Sequence, residues 1–303
     1  MKSARARFLD TREKLQIFLQ LRFPLLYGAL RKFRGDHFQL VSFEYPVSNR
    51  TPRYGYGKPP HPHLLNMLEE KREAYRATIA DIVAACRPLR NVPEHIPRPR
   101  HEPYWRNAWF SGADALVLYA FMVRHRPGSL VEIGSGNSTK FARRAIDDNS
   151  LQTNIVSIDP HPRAEIDGLC DRVIRSGLEA VNLDIFSSLR SGDFVSFDGS
   201  HRSFMNTDVT AFFLDVLPIV PTGVFIQIHD IFLPNDYPPG TPYLNEQYLL
   251  ATYLLAHPNA DLVMPTAYVV ADPDLSRPMR DFWRQCGLND SLFSGSSFWF
   301  RKT

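Results

Sequence analysis

The hydrophobic pattern changes character near Trp105. Beyond it, short β-branched runs alternate with segments whose apolar positions recur every three or four residues, the periods of buried strands and amphipathic helices. The pattern predicts a helix in ADALVLYAFMV, a strand in SLVEI, a helix in STKFARRAIDD and a strand in NIVSID. The strand-like runs RVIRS and DFVSFD come next, then a helix in SFMNTDVTAFFLDVL, a strand in GVFIQIHD and a helix in YLNEQYLLATYLL. Strands alternating with helices argue for an α/β architecture built on a parallel, doubly wound sheet. The ending differs, because DLVMPTAYVV and SSFWFRK read as strands joined by a loop and a short helical segment without a full crossover. An antiparallel final strand is therefore expected.

Before Trp105, two proline-rich stretches, 45–63 and 91–105, flank a run in which Leu64, Leu68, Tyr75, Ile79, Ile82 and Cys86 keep helical spacing up to Pro88. Residues 1–104 accordingly read as a helical, proline-punctuated N-terminal appendage, and residues 105–303 as the α/β domain.

With 303 residues, 44% of them hydrophobic, the chain can bury a full core. The net charge of +3 excludes a generic polyanion binder, and no basic patch interleaved with aromatics lies near the expected strand ends, so nucleic acid is not an expected partner. The basic excess gathers in residues 1–35, with nine Lys or Arg against two acids, interleaved with apolar residues. That composition suits either a helix packed on the main domain or weak peripheral contact with an anionic membrane. Its longest uncharged run, FPLLYGAL, is far shorter than the roughly 20 residues of a spanning helix. Without a small-residue cleavage site after an apolar core, and with Cys86, Cys170 and Cys286 too far apart for a C-x-x-C motif, a cytoplasmic protein with reduced thiols is expected. A homo-oligomer is compatible with these features.

The candidate chemistry starts at VEIGSGNST, residues 131–139, between a predicted strand and a predicted helix. In an open α/β sheet, ligands bind beyond the carboxyl ends of the strands, where such a turn brings backbone close to them. A dinucleotide fingerprint G-x-G-x-x-G would have a third glycine where this chain has Thr139. Glu132, two residues before Gly134, would repel a pyrophosphate and suits a cationic ligand. S-adenosylmethionine, with a sulfonium and an ammonium and no phosphate, fits that electrostatics. Asp159, 25 residues after Gly134, is placed to accept from ribose hydroxyls.

With SIDP (157–160), DFVSFDGSH (193–201), GVFIQIHD (223–230) and the terminal SSFWFRK, this loop makes the chain from about Trp105 resemble the class I S-adenosylmethionine-dependent methyltransferases. Within them it is most similar to the branch of macrocin-type sugar O-methyltransferases and cephalosporin hydroxylase-like proteins. The resemblance implies a Rossmann-like, seven-stranded, mostly parallel sheet with an antiparallel last strand. It also implies that Glu132, Gly134 and Gly136 line the methionine end of the cofactor, with Ser135, Ser138 and Asp198 beside them, Asp159 at the ribose and residues 176–179 at the adenine.

Asp198, His201, His229 and Asp230 should converge at the same rim, being the ends of two neighbouring strands. Methyl transfer to a hydroxyl needs that hydroxyl deprotonated as it attacks, a task for a histidine, and a divalent ion can assist. The resemblance implies His201 as general base and Asp198 and Asp230 as ligands of a divalent metal. His229, standing where that branch has an acid, joins them as a ligand and shifts the preference from magnesium towards softer ions such as zinc, iron or manganese. Two histidines and a carboxylate also compose the facial triad of non-haem iron oxygenases, so a metal-dependent hydroxylase is the rival enzyme. A non-catalytic cofactor-binding or membrane-associated protein is the rival from another class. The expected acceptor is a small molecule or sugar.

Overall fold

The computed structural model describes Tyr45 and residues 51–110, 112–162, 164–241 and 243–303. The chain divides into two compact units, Met1–Thr51 and Pro52–Thr303. The basic segment 1–35 lies outside the described residues, and so does its expected membrane or packing role.

Helix α1 (Pro62–Glu69) starts with proline at its first position, where the missing N–H costs nothing. Helix α2 (Arg72–Ala85) follows directly, so the single helix expected over this run is broken at Glu70 and Lys71. Tyr75, Ile79 and Ile82 of α2 are buried, and the helix packs on α3 (Ala113–His125) and α9 (Pro273–Gln285). Arg72 pairs with Asp272, the N-cap of α9. Residues 52–104 thus share one compact unit and one apolar core with the sheet.

The sheet has seven strands in the order β3-β2-β1-β4-β5-β7-β6. They are β1 (Ser129–Ile133), β2 (Asn154–Ile158), β3 (Arg172–Ile174), β4 (Phe194–Phe197), β5 (Phe225–Ile228), β6 (Asp261–Pro265) and β7 (Phe298–Arg301). Strands β1 to β5 pair in parallel, while β7 runs antiparallel to both β5 and β6. All four residues of β4 and of β5 are buried, as a parallel sheet covered on both faces requires. Helix α4 (Asn137–Asn149) follows β1, and the short α5 (Asp184–Ser187) precedes β4.

Three segments depart from the expectations. The helix read from Ser203 begins only at Asp208 (α6, Asp208–Ala211, continuing as a wide turn Phe212–Val216), because Thr207 caps it and Asn206 has a left-handed φ of 58°. The run 261–270 is strand only to Pro265 and then turns into α8 (Thr266–Ala271). The segment before β7 is the 13-residue α9, amphipathic along its whole length, rather than a short helical piece. Between β5 and β6 lies α7 (Glu246–Ala256).

At the far end of α3, His125 lies among Phe225 (ring centroids 4.3 Å), Phe121 (5.4 Å) and Phe194 (6.0 Å). Burial in this aromatic nest, with help from Arg124 and Arg301, holds its pKa down at about 4. The folded state then resists the proton that the unfolded chain takes up below about 6.5. Stability should therefore fall as pH drops from about 6.5 to about 4. Urea unfolding across that window should show a smaller loss for His125→Phe than for the native protein, and equal slopes would refute the assignment.

Candidate active site

The strand order reverses between β1 and β4, and the crevice at such a switch point is where an open α/β sheet binds its ligand. A cavity of about 470 Å³ opens there. Its floor is the turn after β1, with Gly134, Ser135, Gly136 and Ser138. Asp159 stands at the end of β2, residues 176–179 form a side wall, and Asp198 stands at the end of β4. The loop, ribose and adenine residues anticipated from sequence are thus brought together around one space, with a single exception.

That exception is Glu132. It is wholly buried beneath the loop and does not line the cavity. One of its oxygens accepts from the Thr139 hydroxyl, which in turn accepts from the Gly136 N–H at 3.0 Å. Burial pushes the Glu132 carboxyl up to about 7, against the nearby Ser138, Thr139 and Ser135 hydroxyls, of which Thr139 donates to it. Its other oxygen is buried and has no protein partner. Thr139, which breaks the dinucleotide fingerprint, is therefore the link that ties the glycine turn to the strand beneath.

Gly134 and Gly136 serve different needs. Gly134 has φ 78°, and a Cβ placed on it would lie 1.8 Å from the Asp198 carbonyl oxygen. Gly136 faces the cavity with no protein atom within 4 Å of a built Cβ, so its bareness leaves room for a ligand. Asp159 accepts from the Ser135 N–H at 2.9 Å and the His161 N–H at 2.7 Å. A carboxylate has about four lone-pair sites, so two remain for hydroxyls of a ligand. The lining carries Asp159, Glu179, Asp198 and Asp208 and, among the described residues, no Lys or Arg. This is a bed for a cationic or neutral ligand, and S-adenosylmethionine fits the residues present.

Behind Asp198 lies a chain of alternating carboxylates and imidazoles. Nε2 of His201 is 3.4 Å from Asp198 and 3.5 Å from Asp230, and its Nδ1 is 2.5 Å from Glu246. Nδ1 of His229 is 3.5 Å from Asp198 and 3.6 Å from Asp230, and its Nε2 is 3.4 Å from Asp114. Burial alone would lower the pKa of His201, but Glu246, then Asp198 and Asp230, override it and hold the ring above its ordinary value. His229 is likewise raised well above its ordinary value, burial being outweighed by Asp198 and Asp114. Burial raises Glu246 and would raise Asp114, whose pairing with His229 keeps it low instead. His201 and Asp230 both hold left-handed φ values, 60° and 55°, an uncommon conformation for non-glycine residues that clusters at functional sites.

The metal centre expected from Asp198, His229 and Asp230 is not assembled. Among the described residues, no group of three or more His, Cys, Asp or Glu is placed to hold a metal ion. Each ring nitrogen of His201 and His229 lies within 3.6 Å of a carboxylate oxygen. Among the described residues, the ligand set for the hydroxylase alternative is not assembled either. His201, His229 and Asp230 stand behind Asp198 rather than on the cavity wall.

Residues 131–231 match the family model described as a methyltransferase domain. Over that segment, which spans β1 to the end of β5, the chain is similar to methyltransferase domains. No curated protein matches the chain. Solved structures similar to it include the O-methyltransferase TomG from Streptomyces achromogenes in complex with SAM, at 13% identity and TM-score 0.31, covering 74% of this chain and 88% of that one. Another is the O-methyltransferase from Bacillus cereus in complex with SAH, at 15% identity and TM-score 0.33, covering 75% and 90%. A methyltransferase from Geobacter sulfurreducens is similar at 15% identity and TM-score 0.30, covering 78% and 88%.

Two members of the carboxylate–imidazole cluster escaped the sequence reading. Asp114 is the one charged residue in ADALVLYAFMV, and an acid inside an otherwise apolar helix was its only signal. Glu246 sits in the first turn of α7 after a proline-rich loop and had no distinguishing spacing. The aromatic segment before α3 divides in role: Trp105 is buried against Phe141 and Trp283, whereas Trp109 and Phe110 line the cavity.

The two glycines yield a paired test. Gly134→Ala should lower unfolding stability by about 2–4 kcal/mol, from backbone strain and the clash with the Asp198 carbonyl. Gly136→Ala should keep stability within about 1 kcal/mol while weakening S-adenosylhomocysteine binding at least roughly tenfold. Chemical denaturation and calorimetry read both effects, and unchanged ligand binding in Gly136→Ala would contradict the placement of the ligand over this turn.

Proposed function

We propose that the protein transfers the methyl group of S-adenosylmethionine to a hydroxyl oxygen of a small-molecule acceptor, with His201 as general base. The observation that carries this reading is the meeting, at Asp198, of the acidic cavity over the glycine turn with the His201–Glu246 pair. Bound S-adenosylmethionine supplies an electrophilic methyl on a positively charged sulfur. Gly134, Ser135, Gly136 and Ser138 form its bed, Asp159 receives ribose hydroxyls, and residues 176–179 flank the base.

Glu246, wholly buried, engages Nδ1 of His201 and leaves Nε2 towards Asp198 and Asp230. A carboxylate behind an imidazole fixes its tautomer and orientation, as in the acyl-transfer triads. Neutral His201 accepts the acceptor's hydroxyl proton at Nε2, and the surrounding carboxylates stabilise the imidazolium that forms. Asp198 orients the acceptor from the cavity wall. No metal ligand set enters this scheme.

Calorimetry with S-adenosylmethionine and, in parallel, NADH tests the cofactor. Micromolar affinity for the first alone, weakened at least about tenfold in Asp159→Ala, is expected from loss of the ribose contacts. Preference for NADH would sink the reading. In an acceptor screen with methyl-labelled cofactor, His201→Ala should keep cofactor affinity and lose about 100-fold or more in turnover. Undiminished turnover would exclude His201 as the base.

The same pair sets a pH dependence. Because Glu246, Asp198 and Asp230 favour the charged ring, the basic form of His201 grows as pH rises above neutrality, and turnover should climb through that range. Replacing Glu246 by Gln removes the carboxylate that raises His201 most, so the rising limb of the pH–rate profile should move to lower pH. A limb that stays in place would separate Glu246 from the base.

A further inference from the structure

Glu132 is a buried acid that the proposed reaction leaves unused, and its hydrogen bonds fix where it can carry a proton. The Gly136 N–H can only donate, so the Thr139 hydroxyl accepts from it and spends its single proton on Oε2 of Glu132. A proton on Glu132 therefore sits on Oε1, the buried oxygen for which the described residues hold no hydrogen-bond partner. Ser157, in register with Glu132 on β2, likewise buries a hydroxyl with no such partner.

Because Glu132 is wholly buried, water does not stabilise its charged form. Its neighbours in register on β2 and β4 are Ser157 and Ser196, and the first turn of α4 presents Ser138 and Thr139, none of which ionises near neutrality. The titratable groups coupled to it among the described residues, Asp198 at the end of β4 and Cys170 before β3, are acids as well and disfavour a second negative charge. Burial and these acids, set against the nearby hydroxyls, leave the carboxyl poised near neutrality, at about 7. The cavity floor over it is the glycine turn, whose Gly136 shares the Thr139 hydroxyl with Glu132. A positive charge brought onto that floor tips the carboxyl towards its ionised form.

Resting on the methyltransferase reading above, we infer that Glu132 tells the cofactor from its product by charge, releasing a proton to solvent when S-adenosylmethionine binds and keeping it when S-adenosylhomocysteine binds. The two ligands differ by one methyl group and one positive charge, since transfer converts the sulfonium into a neutral thioether. A cation in the cavity stabilises the carboxylate beneath the turn, and the carboxylate in return tightens the cation, because such coupling is reciprocal. Once the methyl has left, that gain vanishes and Glu132 takes a proton back from solvent. The carboxyl lies under the turn and does not touch the reacting atoms, so its part is in specificity and not in catalysis.

Calorimetry in metal-free buffers of different ionisation enthalpy counts these protons without any acceptor. S-adenosylmethionine should release roughly half a proton at pH 7 and bind about fivefold more tightly there than at about pH 6, a range in which the ligand's own ammonium stays charged. Sinefungin, with an ammonium in place of the sulfonium, should behave in the same way, while the affinity of S-adenosylhomocysteine should change less than about twofold. Glu132→Gln keeps an oxygen for Thr139 and should make the affinities of all these ligands indifferent to pH in this range. Should that variant fail to fold, infrared difference spectra of the native protein carrying isotope-labelled glutamate read the same proton: the protonated carboxyl band should fade with S-adenosylmethionine and persist with S-adenosylhomocysteine. Equal proton release with cationic and neutral ligands, no release while S-adenosylmethionine binds, or release that survives Glu132→Gln would each overturn the inference. Failure of S-adenosylmethionine and S-adenosylhomocysteine to bind at all would overturn the methyltransferase reading itself, so the two failures are told apart.

Discussion

The rim of this molecule depends on how closely two neighbouring strand ends meet. The chain leaving β1 turns at Gly134 directly against the Asp198 carbonyl at the end of β4, where any side chain would collide with backbone. That contact folds the glycine turn over the sheet edge and sets Asp198 beside it, so both line one cavity. The turn is secured from below by the link from Glu132 through Thr139 to the Gly136 N–H. A buried acid raised towards neutrality is a cost to the fold, offset in part here by the hydrogen bond from Thr139. Placing such a group under a ligand loop fits a site organised for binding rather than for stability alone.

The second constraint is charge. Four carboxylates and two imidazoles alternate from the start of α3 to the start of α7. Buried ions persist only when paired, and each imidazole here lies between acids. Asp114 additionally accepts from the Ser296 and Ser297 N–H groups and the Thr266 hydroxyl, which binds the approach to β7 and the start of α8 to the cluster. The helices before Trp105 contribute indirectly: α2 packs on α3, the element that carries Asp114, and Trp105 wedges between α4 and α9. The placing of His201 therefore rests on the whole compact unit, not on the sheet edge alone.

Much of the fold was legible along the chain. Short β-branched runs between segments of helical period mark the strands of the sheet, and the antiparallel β7 was expected, although two helices, α8 and α9, fill the interval read as lacking a full crossover. Where local reading failed, backbone geometry outweighed pattern. Asn206 takes a left-handed φ that delays α6, and Pro265 ends β6 where the apolar run continues into a helix. The site was legible in part: the residues that line the cavity lie at strand ends, which spacing alone locates.

By itself, the sequence determined the α/β order, the glycine turn, the strand-end acids and the gathering of His201, His229 and Asp230 at one rim, because each of these follows from local period and from topology. Tertiary structure decided what those residues do. Only packing shows that Glu132 lies under the loop, that Glu246 and Asp114 arrive from distant helices, and that each imidazole lies between carboxylates. Pairings across tens of residues leave no periodic trace, since the energy that selects them is the cost of burying an unpaired charge, and that cost exists only once the chain has folded.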